Sequence, residues 1–398
     1  MSESSNPEKS RVTRREQLAE RLRHRIRRGE WPVGTPIPPT RVLAQQSHVS
    51  SITVQSVLGE LEAQGLIERM PRRGTIVRAR IPQNGGDRQV AIISYGDVSE
   101  GPGPADFAWR IVHAAQDQLV EDQFHPLVFQ ANHAVADPAA DVLKRLEGFG
   151  STLNGVIHFD HPTLAPLAGT LGRWGVPWVV VNAPSQHAIH NYVAADNLMG
   201  CRLVGQALAR MGLHRVLVLV ANGAGNSQTE MEKVTGLIQG FIEAGVSISG
   251  IEIQAGRGQP EAVALAALQR RERPDVVFCY ADTIAFAVIR ACAKLGLSIP
   301  EDMRLVSSGG LGLAEIAQPP LTALTQPAEQ IGAQAAQMLS DMVARHSTRI
   351  DRRRVPGHLV IRESCPIPED VCQALREQYP QIRITDATGA AVDSTHTS

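Results

Sequence analysis

The sequence predicts an α/β protein: a small helical head ending in a β-hairpin, joined to a much larger core of two successive strand–helix layers. Three observations predict this. Between Ile37 and Val77, two helical segments precede two short β segments around a glycine turn. From Val90 onward strand and helix patterns alternate, which favours parallel sheets with crossover helices. Charge is also unevenly spread. Residues 1–80 hold 15 Lys/Arg against 8 Asp/Glu, a net +7, whereas the remainder holds 24 against 32, a net −8.

Taken in order, residues 1–12 are polar and read as a disordered tail. Arg14 to Arg28 carries Leu18, Leu22 and Ile26 at helical spacing. Gly29 to Gly34 turns the chain into a short helix from about Thr40 to Gln46. The next helix can be capped by Ser50 or Ser51 and stops at Gly65. Its buried stripe is Val54, Val57, Leu58 and Leu61, at i, i+3, i+4 and i+7. Its opposite face and first turn show Ser51, Thr53, Gln55 and Ser56. Leu66–Met70 and Thr75–Arg78 read as strands around a cationic tip, Pro71-Arg72-Arg73-Gly74. Helix, turn, helix and basic wing make a winged helix-turn-helix over residues 13–80, a form that lays its second helix in the DNA major groove. The basic excess fits a polyanionic partner. Solvated arginine-rich helices alone would not explain why it stops at Arg80.

At these residues the chain resembles the GntR family of bacterial regulators. The resemblance rests on Gly29 and Gly34, Pro38, Arg41, Leu43-Ala44, Val49-Ser50, Thr53-Val54, Leu61, Gly65-Leu66-Ile67 and Arg73-Gly74-Thr75. It implies a DNA-binding set of Arg41, Ser50, Ser51, Thr53, Gln55, Ser56, Arg72, Arg73 and Gly74. There are three departures. Pro39 stands where the family usually has a capping serine, and Ser51 and Gln55 stand where many members carry DNA-contacting arginines. The bases read are therefore expected to differ from the family's usual ones.

Residues 81–89, with Gly85-Gly86, read as a linker. In the core, strands are expected at Val90–Ser94, Pro126–Phe129, Gly155–Phe159 and Trp178–Val181. Their helices are expected near Ala108–Glu121, Ala139–Gly148 and Thr163–Trp174. A second set runs from helix Asn197–Met211 through strands near Arg215, Ile251, Asp275 and Arg304, with helices between them. Two such layers imply two Rossmann-like lobes with a cleft, as in hinge-closing ligand binders. Residues 366–398 read as a C-terminal tail, partly disordered.

Over Val90 to Ser364 the core is similar to the effector-binding domain of the LacI/GalR family. The similarity rests on Tyr192 to Asn197, Gly205, Gly212 to Val216, Gly236-Leu237, Ala281-Asp282, Ile299 to Asp302, Pro320-Leu321-Thr322 and Gln326-Pro327. It implies a periplasmic-binding-protein-like (type 1) core over residues 90–365, three crossings between lobes, a small-molecule cleft and a homodimer. A GntR-type head on such a core resembles the arabinose-repressor branch of the GntR family. Ligands of Rossmann-like lobes sit beyond the carboxyl ends of the strands. The expected effector residues are accordingly Tyr95, Asp97, Asp160, Asn182, Lys233, Asp282 and Gln326. Lys233 replaces the family's sugar-binding arginine, and a point charge is not a bidentate fork. The family's aspartate falls on Gly309 or Gly310. A solvated Lys233 and a helix-capping Asp282 are the plainer alternatives.

Other patterns favour ordinary roles. Asn222 to Asn226 lacks the third glycine of a nucleotide loop, since Gln228 stands there. His158 and His161 have no third metal-ligating partner in sequence, and Glu301-Asp302 read as a turn. Trp109, Trp174 and Trp178 are expected in packing. No Ser-His-Asp pattern, cofactor motif or zinc spacing appears. Cys201, Cys279, Cys292, Cys365 and Cys372 are scattered, which fits reduced thiols. No apolar run approaches the roughly 18 residues of a membrane span, and the first residues lack a secretory signal's apolar stretch. The expectation is a cytoplasmic, non-enzymatic regulator that binds a pseudo-palindromic double-stranded DNA operator, with a small-molecule effector such as a sugar or sugar derivative. A solute-binding receptor for a transporter is the alternative.

Overall fold

The computed structural model describes residues 14–27, 30–63, 66–70, 73–78, 88–94, 104–131, 135–149, 152–160, 164–182, 190–221, 228–256, 258–310, 312–345 and 350–388. In the head, α1 (Arg14–Arg27), α2 (Thr40–Ser47) and α3 (Ser51–Ala63) precede the hairpin β1 (Ile67–Met70) and β2 (Gly74–Val77). The expected apolar stripes make its core: Leu18, Leu22, Ile26, Leu43, Val54, Val57, Leu58 and Leu61 are at most 2% exposed. Glu60 ties α3 to α1 by accepting from Arg15 at 2.7 Å and also from Arg23. The hairpin is antiparallel, with Ile67 opposite Val77 and Met70 opposite Gly74. Gly74 has φ +83, a conformation a glycine adopts without steric cost. The Gly65 stop and the linker through residue 87 lie outside the described residues.

The core begins with β3 (Gln89–Ser94), α4 (Pro104–Glu121), β4 (His125–Gln130), α5 (Pro138–Glu147), β5 (Leu153–Phe159), α6 (Pro166–Trp174), β6 (Trp178–Val181) and β7 (Tyr192–Ala195). Next come α7 (Asn197–Arg210), β8 (Val216–Val220), α8 (Gln228–Glu243), β9 (Ile251–Ala255), α9 (Pro260–Leu268), β10 (Val276–Cys279) and α10 (Asp282–Leu295). They are followed by β11 (Arg304–Ser307), α11 (Leu313–Ile316), β12 (Thr322–Thr325) and α12 (Ala328–Arg345). The chain closes with β13 (Arg352–Val355), β14 (His358–Val360), α13 (Glu369–Gln378) and β15 (Arg383–Thr385).

These strands form a six-stranded sheet of order β13-β7-β6-β5-β3-β4 and a seven-stranded sheet of order β15-β14-β12-β11-β10-β8-β9. Strands β8, β9, β10, β11 and β12 pair in parallel, and β14 runs antiparallel to β12. Strands β5, β8 and β10 are buried along their whole length, as parallel strands covered on both faces must be. The chain passes between the two sheets three times: after β7, before β13 and after β13. That is the number the resemblance implied. Packing divides the described residues into two compact units, one within 1–93, 119–178 and 337–349, the other within 94–118, 179–336 and 350–398.

Two boundaries differ from the sequence reading. Arg88 already belongs to the core, donating to the Asp122 carbonyl at 3.2 Å and lying 3.9 Å over the Phe124 ring, and Gln89 opens β3. The supposed tail contributes α13 and β15 up to residue 385. Ile367, Val371, Cys372, Leu375, Tyr379, Ile382 and Ile384 are buried with α7 and β8 residues in one cluster. Apolar residues at i, i+1 and i+4 of a short helix, then a three-residue strand, are too brief to show as periodicity. All five cysteines are free and buried. Burial pushes the Cys201 and Cys365 thiols up to about 12 and those of Cys292 and Cys372 up to about 11, so they are unreactive at neutral pH.

Candidate functional site

In the head, α2, the turn after it and the start of α3 position the residues singled out from the sequence. Pro39 caps α2 without a side-chain bond, as its lack of a hydroxyl dictates. His48 ends that helix in the left-handed conformation at φ 53, and this sets the turn into α3. Ser50, rather than Ser51, caps α3: its Oγ accepts the Thr53 N–H at 3.1 Å and meets the Thr53 hydroxyl at 2.8 Å. These two residues therefore set the start of the helix. Ile52 and Ser56 are exposed opposite the buried stripe, and Ser51 and Gln55 are exposed on its flank. Ser56 Oγ accepts from Arg15 at 3.3 Å, which leaves Ser51, Ile52 and Gln55 as the freest part of that face.

The wing is fixed to this helix. Arg69 of β1 donates to the Gln55 carbonyl at 3.0 Å and pairs with Glu62 at 3.4 Å. Arg41 and Arg73 are exposed. The Arg73 N–H donates to the Met70 carbonyl at 3.1 Å, which tightens the hairpin tip beside Gly74. Arg72 lies outside the described residues.

In the core, the structure brings Lys233, Asp282 and Gln326 around one loop, Ser307 to Gly310, at the carboxyl ends of β10 and β11. Lys233 is 4% exposed. Its Nζ donates to the carbonyls of Tyr280 at 3.0 Å and Ser308 at 2.9 Å, and lies 4.1 Å from the centre of the Tyr280 ring. Burial lowers its pKa to about 8, against Cys201, Asp282 and Glu230, which favour the charged form. It is not a solvated helix lysine. Asp282 does not cap α10 either. Its Oδ1 accepts from the Ser307 hydroxyl and from the Gly310 N–H at 3.0 Å. A Cβ at Gly309 would lie 2.7 Å from that oxygen, so the Asp282 carboxylate fills the space a residue-309 side chain would need. The Gln326 N–H donates to the Gly309 carbonyl at 3.1 Å, holding the loop from its other side.

The other expected effector residues lie elsewhere. Asp160 follows β5 and Asn182 follows β6, where the latter adopts φ 84, a conformation asparagine tolerates. Tyr95, Asp97, His161 and the Asn222 to Asn226 loop lie outside the described residues. Asp302 accepts the Ser298 N–H at 2.8 Å, a turn contact as expected. Trp174 and Trp178 pack on a hydrophobic cluster, whereas Trp109 is 44% exposed with its ring 4.4 Å from His113. Sequence reasoning missed Tyr280, Ser307 and Ser308. Their backbone and hydroxyl groups fasten Lys233 and Asp282, a role that no residue type announces.

Comparison with known proteins adds to this geometry. The pattern described as bacterial regulatory proteins, gntR family, matches residues 14–77. A periplasmic binding protein-like domain matches residues 206–365. The arabinose metabolism transcriptional repressor of Geobacillus stearothermophilus is 26% identical over 349 residues, 83% of this chain and 91% of that protein. The regulator CelR of Thermobifida fusca is 29% identical over 230 residues, 56% of this chain and 66% of that protein. Among solved structures, a complex of regulator CelR with cellobiose has TM-score 0.61 at 22% identity, covering 83% of this chain and all of that one. A LacI-family regulator from Enterococcus faecium with bound ribose has TM-score 0.58 at 17% identity, covering 70% of this chain and 99% of that one. These relatives are transcriptional regulators rather than enzymes.

Proposed function

We propose that this chain, which joins a GntR-family helix-turn-helix domain to a periplasmic-binding-protein-like domain, is a transcriptional repressor whose hold on operator DNA is set by a small molecule. The observation that carries the reading is the exposed polar face of α3, opposite a fully buried stripe, in a head with a net charge of +7. Arg41 of α2 and Arg73 at the hairpin tip are exposed and fit phosphate contacts, while Gln55 fits the paired N6 and N7 positions of adenine. The effector is proposed to be a sugar or sugar derivative, since solved regulators of this fold hold bound ribose and cellobiose. Asn182 and Gln326 are the groups proposed to meet it, with Lys233 and Asp282 holding the loop at Gly309. A homodimer formed by the core, a pseudo-palindromic operator and a cytoplasmic location belong to the same reading. Among the described residues, no helix is long and apolar enough to cross a membrane.

Substitutions in the full chain separate the two kinds of contact. Gln55→Ala should relax base preference at one position of each half-site, at a cost of about 1–3 kcal/mol on the preferred sequence. Arg73→Ala should weaken every sequence alike and reduce the salt slope by about one. Selection of binding sites from a random duplex pool, followed by titrations at two salt concentrations, measures both. An unchanged selected sequence for Gln55→Ala would refute α3 as the reading helix.

A further inference from the structure

The reading face of α3 contains a residue that hydrogen-bonding arguments pass over. Ile52 lies in the first turn of α3 and is 77% exposed, the highest exposure among the large apolar residues described. Val54, Val57, Leu58 and Leu61 are turned into the head, so Ile52 faces the opposite way, with Gln55 and Ser56 one turn further along. A lone exposed apolar residue is ordinary on a protein surface. This one, however, stands at the helix position from which helix-turn-helix domains reach base edges. A β-branched side chain there also gains the free head little, since it is 77% exposed and has a slightly poor helix propensity.

We propose that Ile52 reads the C5-methyl group of a thymine in the operator half-site. The side chain has no donor or acceptor, so the base edges and phosphates offer it no hydrogen bond. In the major groove the thymine methyl is the apolar feature that distinguishes one base pair from another. The polar groups of Ser51 and Gln55 beside it leave Ile52 the task of covering that methyl and excluding water from it. With Gln55 suited to adenine a turn away, the half-site is expected to hold A·T pairs at two nearby positions. This inference rests on the reading of the chain as a DNA-binding regulator.

The test uses the full chain and a duplex selected from a random pool. Replacing each thymine of one half-site in turn by deoxyuridine removes the methyl and leaves base pairing intact. The wild type should lose about three- to fivefold in affinity at one thymine, the worth of burying a single methyl. Ile52→Ala and Ile52→Ser should bind more weakly and be insensitive to uracil at that position, while Gln55→Ala keeps the sensitivity. Because Ile52 is exposed, the variants should melt with the wild type. A wild type that binds its selected duplex and tolerates uracil everywhere overturns this proposal and leaves the regulator reading standing. So does an Ile52→Ala variant that still feels the same uracil. A chain that enriches no sequence overturns both.

Discussion

Gly240→Ala is expected to destabilise the core by at least about 3 kcal/mol, although alanine normally improves a helix interior by about 1 kcal/mol over glycine. A Cβ at Gly240 would lie 2.7 Å from the Gln206 nitrogen and 2.9 Å from the Gly205 Cα, with the Arg202 carbonyl oxygen nearer still. Gly205 and Gly236 meet the facing backbone in the same way, at the Leu237 and Leu198 carbonyls. Three glycines thus let α7 and α8 touch backbone to backbone. The added methyl meets main chain, which cannot swing aside as a side chain would. It therefore pushes apart two helices that share Leu203, Leu237 and Phe241, each fully buried. Gly169 in α6 is the control. Its Cβ would meet nothing nearer than an Arg173 guanidinium nitrogen at 3.7 Å, so Gly169→Ala should be neutral or stabilising by up to about 1 kcal/mol. Urea unfolding of both variants measures the contrast. A stable Gly240→Ala would mean that the helices do not pack this closely.

Above about pH 10, where the amine is neutral in both states, Lys233→Ala is expected to cost about 3–4 kcal/mol, because two buried carbonyls lose their donor at about 1–3 kcal/mol each and the aliphatic stem leaves a void. Lys233→Met keeps the stem and should cost less. The ammonium also gives a pH signature. Its pKa is about 8 in the folded protein and about 10.4 in an unfolded chain. Between those values the unfolded chain holds a proton that the folded protein has released. Stability from this group is thus fully present above about pH 10.4 and is lost as pH falls through about 8. The difference is about 3 kcal/mol at 1.36 kcal/mol per unit. Relative to Lys233→Met, the wild type should gain stability from pH 8 to pH 10. A flat difference would put the ammonium in its ordinary range, and the buried brace would be wrong.

The head was readable in the sequence because its signals are local. Val54, Val57, Leu58 and Leu61 repeat at helical spacing, and Ser50 sits one residue before the helix it caps. The strand–helix alternation from Val90 was equally plain. Strands β7, β12, β13, β14 and β15 were not assigned; at three or four residues they have no period of their own, and no helix assigned from the sequence precedes them as one precedes the equally short β10. The Lys233 site shows a different limit. Position singled out Lys233 and Asp282, but their partners, the carbonyls of Tyr280 and Ser308 and the N–H of Gly310, arrive from other strand ends through tertiary folding. Gly309 or Gly310 looked like a missing carboxylate, yet beside Gly309 the structure fills that space with Asp282. Ile52 escaped notice because an apolar residue off the buried stripe resembles noise until its exposure is known.

In the proposed function, one chain couples a DNA-reading head to a ligand-binding core. The most direct measurement takes the full chain, the duplex it selects from a random pool, and a panel of sugars and sugar acids, and records DNA affinity with and without each compound. The expected result is a pseudo-palindromic duplex, binding that weakens in the Arg41→Ala and Arg73→Ala variants, and at least one compound that shifts affinity by about 5- to 150-fold, a coupling of roughly 1–3 kcal/mol. The same compound should raise the melting temperature of the chain without DNA. Failure to enrich any sequence, or binding indifferent to both arginines and to every compound in the panel, would contradict it.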